Sequence, residues 1–136
     1  MTVGLNVDNI VTEVGAPSFF HAFFSTISVR LEPNGWGSRF PVLLKSLYAG
    51  RLPATQIESG IVELRLARKE LKKFRPEDIV WDIENRNARP PWGSSISPAV
   101  TDPSNYFVTS HGNDLFQVLE EVLDFAASEK KDVLVE

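Results

Sequence analysis

The chain has 136 residues, 43% hydrophobic and 24% charged, the size and balance of one soluble globular domain whose core needs no staples. It contains no cysteine, which excludes disulfides, thiolate metal sites and a cysteine nucleophile. A net charge of −4 leaves no basic footprint for nucleic acid.

Thr2 to Val7 alternates, with Val3, Leu5 and Val7 on one face, and reads as a strand. Asp8-Asn9 is a turn signal. Ile10 to Val14 continues either as the second strand of a hairpin or as part of one bent strand. Met1 to Gly15 carries no Lys or Arg and holds Asp8 and Glu13, unlike a secretory signal, so the expected location is the cytoplasm.

Residues 17–41 hold five of the nine phenylalanines and one of the three tryptophans. Pro17 suits a first helical position, where its missing N–H costs nothing. Phe20, Phe23, Phe24, Ile27 and Leu31 follow on one helical face, and His21, Ser25, Ser28 and Glu32 repeat on another. Ile27, Val29 and Leu31 also alternate with polar residues as a strand would, but the helical pattern is longer and has the start signal. The run is too short and too polar to span a bilayer, so no membrane partner is expected. Pro33-Asn34-Gly35 ends the element. Trp36-Gly37-Ser38-Arg39-Phe40-Pro41 then puts two aromatics and an arginine into a short connector, which calls for packing or a partner.

Pro41 opens a second helix carrying Leu43, Leu44, Leu47 and Tyr48, stopped by Gly50. Pro53 opens a third, with Ile57, Ile61, Leu64 and Leu71 inward and a weak point at Gly60, where glycine costs about 1 kcal/mol relative to alanine. Ile79 to Ile83 reads as a short strand. Asn85 to Asp102, with Pro90, Pro91 and Pro98, is the longest irregular stretch, and its Pro91-Trp92-Gly93-Ser94 centre argues for an ordered loop. Tyr106 to Thr109 reads as a further strand. Asn113 is placed to cap a last helix with Leu115, Val118, Leu119, Val122 and Ala126 inward and Glu120, Glu121 and Asp124 outward. Asp132 to Val135 reads as a final strand. Three successive helices rule out a regular βαβ series. The expected fold is α+β, a single domain over residues 1–136, with a small mixed or antiparallel sheet of four or five short strands packed with about four helices.

Few residues offer chemistry. His21 and His111 lie far apart and belong to no metal-ligating spacing, and no GxSxG, Walker or GxGxxG motif is present, so neither metal nor cofactor is expected. Asp82 and Glu84 share one side of the expected strand, an arrangement that serves acid–base chemistry or, more commonly, a solvated face. Arg39, between Trp36 and Phe40, suits either a partner contact or an internal clamp onto Asp82 or Glu84.

Taken together, Pro17-Ser18-Phe19-Phe20-His21-Ala22-Phe23-Phe24-Ser25-Thr26-Ile27 and Trp36-Gly37-Ser38-Arg39-Phe40-Pro41 resemble the immunity protein 70 family of bacterial polymorphic toxin systems. Val80-Trp81-Asp82-Ile83-Glu84, Pro91-Trp92-Gly93, and Tyr106-Phe107-Val108-Thr109-Ser110 with Gly112 extend the resemblance over nearly the whole chain. It implies a small cytoplasmic, non-enzymatic inhibitor that binds the C-terminal toxin domain of a cognate secreted protein. It assigns no binding residue. The residues themselves suggest a partner face of Trp36, Arg39, Asp82, Glu84 and Trp92, provided the two tryptophan loops meet at one edge of the sheet. The acidic face of Glu120, Glu121 and Asp124 is the second choice. Two other readings compete: a small hydrolase-like enzyme using His21, Ser38 and Asp82, and an interaction module whose tryptophan loops make a homodimer.

Overall fold

The computed structural model describes residues 2–136 and has three α-helices, one π-helical turn and a four-stranded antiparallel sheet. Strands β1 (Val3–Val7) and β2 (Ile10–Gly15) form a hairpin in which Val7 pairs with Ile10. Asp8 and Asn9 both take positive φ, 51° and 69°, the backbone that a two-residue hairpin with native twist demands. Leu5, Val7 and Val14 turn inward, and Ile10 and Val11 stay exposed. The sheet order is β2-β1-β4-β3, with β4 (Val133–Val135) inserted between β1 and the two-residue β3 (Arg51–Leu52).

Helix α1 (Pro17–Leu31) begins at its proline and is helical throughout the stretch that also alternates. Phe23 and Phe24 are fully buried, and Phe23 meets Phe24, Phe107 and Phe116 edge-on with centroids 4.8–5.4 Å apart. The second helix is a π-helical turn, Val42–Leu47, whose first amides are held by the carboxylate of Glu63. Helix α2 (Ile57–Leu71) follows a single 3₁₀ turn at Ala54–Gln56. Its Gly60 is a place of close approach: a Cβ there would stand 3.3 Å from Val42 and 3.4 Å from Leu52. Helix α3 (Leu115–Glu129) buries Leu115, Phe116, Val118, Leu119, Val122, Leu123 and Ala126. Its cap is Asp114, not Asn113: the Asp114 carboxylate accepts the amide of Phe116.

Two expected strands do not form. Residues 79–83 are irregular because α1 takes the place of a neighbouring strand. The Thr26 hydroxyl accepts the amide of Val80 at 2.9 Å, Ser25 accepts that of Ile83 at 3.1 Å, and Arg30 donates to the carbonyl of Asp78. With its backbone bonded to side chains, the segment has no ladder to join. Residues 106–109 make only one isolated bridge, between Val108 and Asp114. All sheet pairings are antiparallel, and the buried apolar side chains other than Val80 form one continuous cluster.

Candidate functional site

The polar stripe of α1 organises one surface. At its N-terminal end His21 is half-buried between two partners: Nδ1 lies 2.6 Å from the Tyr48 hydroxyl and Nε2 lies 3.0 Å from Oδ1 of Asp82. With Asp82 ionised, Nε2–H donates to the carboxylate, and Nδ1 accepts the Tyr48 hydroxyl. The Glu84 amide, 2.9 Å from Oδ1, is the main cause that holds the Asp82 carboxyl below the ordinary aspartate value, with His21 adding to it against partial burial. Burial pushes the Tyr48 phenol up, and the negative charges of Glu84 and Asp82 add to the shift. Trp36 stacks on the His21 ring, its centroid 6.3 Å away, and donates its indole N–H to the carbonyl of Leu44.

Asp82 and Glu84 therefore do not share a strand face. Asp82 closes a turn, accepting the amide of Glu84 on its side chain and that of Asn85 on its carbonyl, and Glu84 points into solvent. Next to Asp82, Trp81 meets Trp92 edge-on at 5.4 Å. Trp92 is 46% exposed and donates its indole N–H to the Tyr106 hydroxyl. A line of contacts thus runs from Trp36 through His21 and Asp82 to Trp81 and Trp92. Trp36 packs on His21 of α1, on Leu44 of the π-helical turn and on Tyr48 just after it, Trp92 packs on Trp81 and Tyr106, and none of these partners is a strand residue, so neither tryptophan packs on the sheet edge that the sequence reading required.

Arg39 clamps the connector, but onto Glu70 of α2 and not onto Asp82 or Glu84. Its two terminal nitrogens grip the two carboxylate oxygens of Glu70. The Glu70 hydrogen bond raises the guanidinium pKa further, and the same bond lowers that of Glu70. The anchor that sequence reasoning missed is Glu32, buried just beyond the last turn of α1. Its carboxylate accepts the amides of Gly37 at 2.9 Å, Arg39 at 3.0 Å and Phe40 at 2.8 Å. Gly37 turns with φ 75°, and a Cβ there would run into the Lys45 side chain. The helical spacing puts Glu32 on the stripe with His21, Ser25 and Ser28. The available signal is a carboxylate at the helix end, four positions after Ser28 on the same stripe and followed by a Gly-rich connector that has amides to satisfy.

The arrangement His21, Ser38 and Asp82 does not assemble. His21 and Asp82 pair, but Ser38 donates to the carbonyl of Gly35, and both ring nitrogens of His21 are engaged elsewhere. Glu120 of the acidic face is drawn to Arg65 and Arg68 of α2, and Glu121 accepts from Gln117. His111 sits apart, against Glu13 at 2.8 Å. No set of three or more His, Asp or Glu side chains that could hold a metal occurs among the described residues, and no helix there is long and apolar enough to cross a membrane.

A model of a protein family, described as Immunity protein 70, matches residues 5–135. No curated protein and no solved structure matches the chain.

Proposed function

Because the chain belongs to the immunity protein 70 family, we propose that it is a non-enzymatic immunity protein that binds and neutralises the C-terminal toxin domain of a cognate secreted bacterial polymorphic toxin, in the cytoplasm of the cell that carries it. The family match over nearly the whole chain is the observation that carries this reading. The surface lends it support. Trp92 presents a large, amphipathic ring with its polar end already satisfied, the kind of anchor that dominates interface energetics. Glu84 is exposed and Asp82 partly so, two positions apart in the segment whose Trp81 packs against Trp92.

The partner face is accordingly the one expected from Trp36, Arg39, Asp82, Glu84 and Trp92, with divided labour. Glu84, Trp92 and the rim of Asp82 meet the toxin. Trp36, held by Leu44, and Arg39, held by Glu70, shape the connector behind them. A stable complex buries about 1,200–2,000 Å² in total, so this patch is the centre of a larger footprint.

The test is a tagged pull-down from a strain that expresses the protein and its neighbouring exported proteins, read by mass spectrometry and followed by reconstitution from purified parts. A stoichiometric complex with the C-terminal domain of a large exported protein, and loss of that domain's toxicity in the complex, is the expected result. Recovery of the protein alone from cells shown to make such a toxin sinks the reading. Light scattering on the purified chain decides whether a homodimer competes for the same face.

A further inference from the structure

The chain has eight arginines. Five of them, Arg39, Arg51, Arg65, Arg68 and Arg75, are in ion pairs with carboxylates. The other three, Arg30, Arg86 and Arg89, form no ion pair among the described residues, and all three line a single groove. The groove runs between residues 77–81 and the proline-rich segment, with Trp81 and the buried Pro90 among its walls. Arg30 reaches it from α1 and spends only its Nε on the carbonyl of Asp78. Arg89 has one long contact, 3.4 Å, to the carbonyl of Ala88. One carboxylate stands on the rim, Glu77, and it is paired with Arg75 at 3.2 Å.

Unpaired guanidinium groups scattered over a surface would be ordinary. Three gathered at one groove, in a protein of net charge −4 whose other arginines all have partners, are an uncompensated positive spot on an acidic molecule. A guanidinium presents a planar fork that matches a carboxylate with two hydrogen bonds. We infer that this groove receives aspartate or glutamate side chains from the bound protein partner. The inference rests on the proposed immunity function for the identity of that partner. It deepens that reading by giving the toxin surface a polarity: acidic where it meets Arg30, Arg86 and Arg89, and basic or neutral where it meets Asp82 and Glu84, which do not line the groove. The overall negative charge does not steer an acidic segment from a distance, so the groove acts at contact, fixing register and orientation.

The first measurement does not need the toxin. The full chain, labelled with ¹⁵N, is titrated with a capped hexapeptide of alternating Glu and Gly, with its Lys–Gly counterpart, and with inorganic phosphate, all at equal ionic strength. The arginine Nε–H signals of Arg86 and Arg89 and the Trp81 indole signal should move with the Glu peptide alone, and the movement should vanish in the double variant R86E/R89E. No movement, equal movement with phosphate, or movement that survives in the variant overturns the inference. Arg86 and Arg89 are exposed, so the variant should keep the wild-type circular dichroism, and R86Q/R89Q serves if it does not. Once a toxin domain is in hand, R86E/R89E should weaken its affinity by about tenfold or more, and unchanged affinity would overturn the inference. If the wild-type chain captures no toxin, the immunity reading fails by itself, and the peptide titration still decides the groove.

Discussion

Glu32 accepts the amide of Phe40 at 2.8 Å, and both residues are buried. The same carboxylate takes the amides of Gly37 and Arg39, so a single side chain folds the whole connector back onto the end of α1. Replacing it strands those donors. Glu32→Ala should cost about 3 kcal/mol or more, since each buried amide left unpaired costs about 1–3 kcal/mol. Glu32→Gln, which keeps one acceptor oxygen but sets an NH₂ group against a donor, should fall between. Urea unfolding measures both, and a Glu32→Ala chain within about 0.5 kcal/mol of wild type would contradict the account.

Thr26 stands in for a strand partner. Its hydroxyl accepts the amide of Val80 and lies 2.9 Å from the carbonyl of Ala22. Thr26→Val keeps the shape and removes the acceptor, which should cost about 1–3 kcal/mol and lower the melting temperature by several degrees. Thr26→Ser should recover most of the loss. Equal melting temperatures for the Val and Ser variants would show that the hydroxyl is not what holds the 79–83 segment.

Two acids should respond to pH in opposite senses. The folded Asp82 carboxyl sits below its ordinary value, so its contribution is complete above the unfolded value and is lost as pH falls through the folded one. Glu63 is the reverse. Burial raises its carboxyl, only partly offset by the amides of Leu43 and Val42. Its folded form keeps the proton longer, so stability declines as pH rises from the ordinary glutamate value through the raised one. Across the acid range, the margin of wild type over Asp82→Asn should therefore widen with rising pH, and that over Glu63→Gln should narrow. Urea midpoints at a series of pH values check both slopes, and a flat margin for either variant removes that acid from the scheme.

The Arg39–Glu70 pair separates a clamp from a contact. Both side chains are partly exposed, so a double-mutant cycle should give a coupling of about 0.5–1 kcal/mol that shrinks with added salt. Arg39→Lys should lose most of it, because an ammonium cannot engage both oxygens in the same way. Should Arg39→Ala leave stability untouched but weaken toxin capture, Arg39 would move from the scaffold to the interface.

On the proposed face, Glu84→Lys and Trp92→Ala should each weaken toxin binding, by about tenfold or more for the tryptophan. Among the described residues the Glu84 side chain makes no hydrogen bond or ion pair, so its variant should unfold at the wild-type urea concentration. Asp82→Lys is a poorer probe, because it breaks the contacts to His21 and to the Glu84 amide at the same time. Wild-type affinity in both Glu84→Lys and Trp92→Ala would place the interface elsewhere, with the acidic side of α3 next in line.

Local signals carried far in this sequence. Pro17 and the phenylalanine spacing announce α1, Asp8-Asn9 announces the hairpin, and Pro41 with its leucines announces the turn that follows the connector. Two departures are local, the cap at Asp114 beside Asn113 and the turn that Asp82 closes with the Glu84 amide; the larger ones involve partners distant in the chain. Residues 79–83 alternate like a strand, and nothing near them says that Ser25 and Thr26, more than fifty positions earlier, will take their amides. β3 is two residues long and exists only because β4 lies beside it. The neighbours of Arg39 suit either a partner contact or an internal clamp, and which carboxylate it grips depends on how α2 packs. At the candidate site, the sequence offers His21 and Asp82 as a pair, and the fold brings them together. The Tyr48 contact and the grouping of the unpaired arginines required the fold.

The sheet order has a kinetic meaning. β4 supplies the middle of the sheet, yet the Asn6 side chain next to it on β1 meets Glu136, 130 positions away. The β1–β2 hairpin is local and forms early, whereas joining β4 to β1 closes a loop of nearly the whole chain, a slow step for entropic reasons. Until then β1 has one bare edge and β3 has no neighbour at all. A nascent or transiently opened molecule therefore shows its vulnerable strand edges in the interval before β4 docks, and that interval is when another chain could pair in its place.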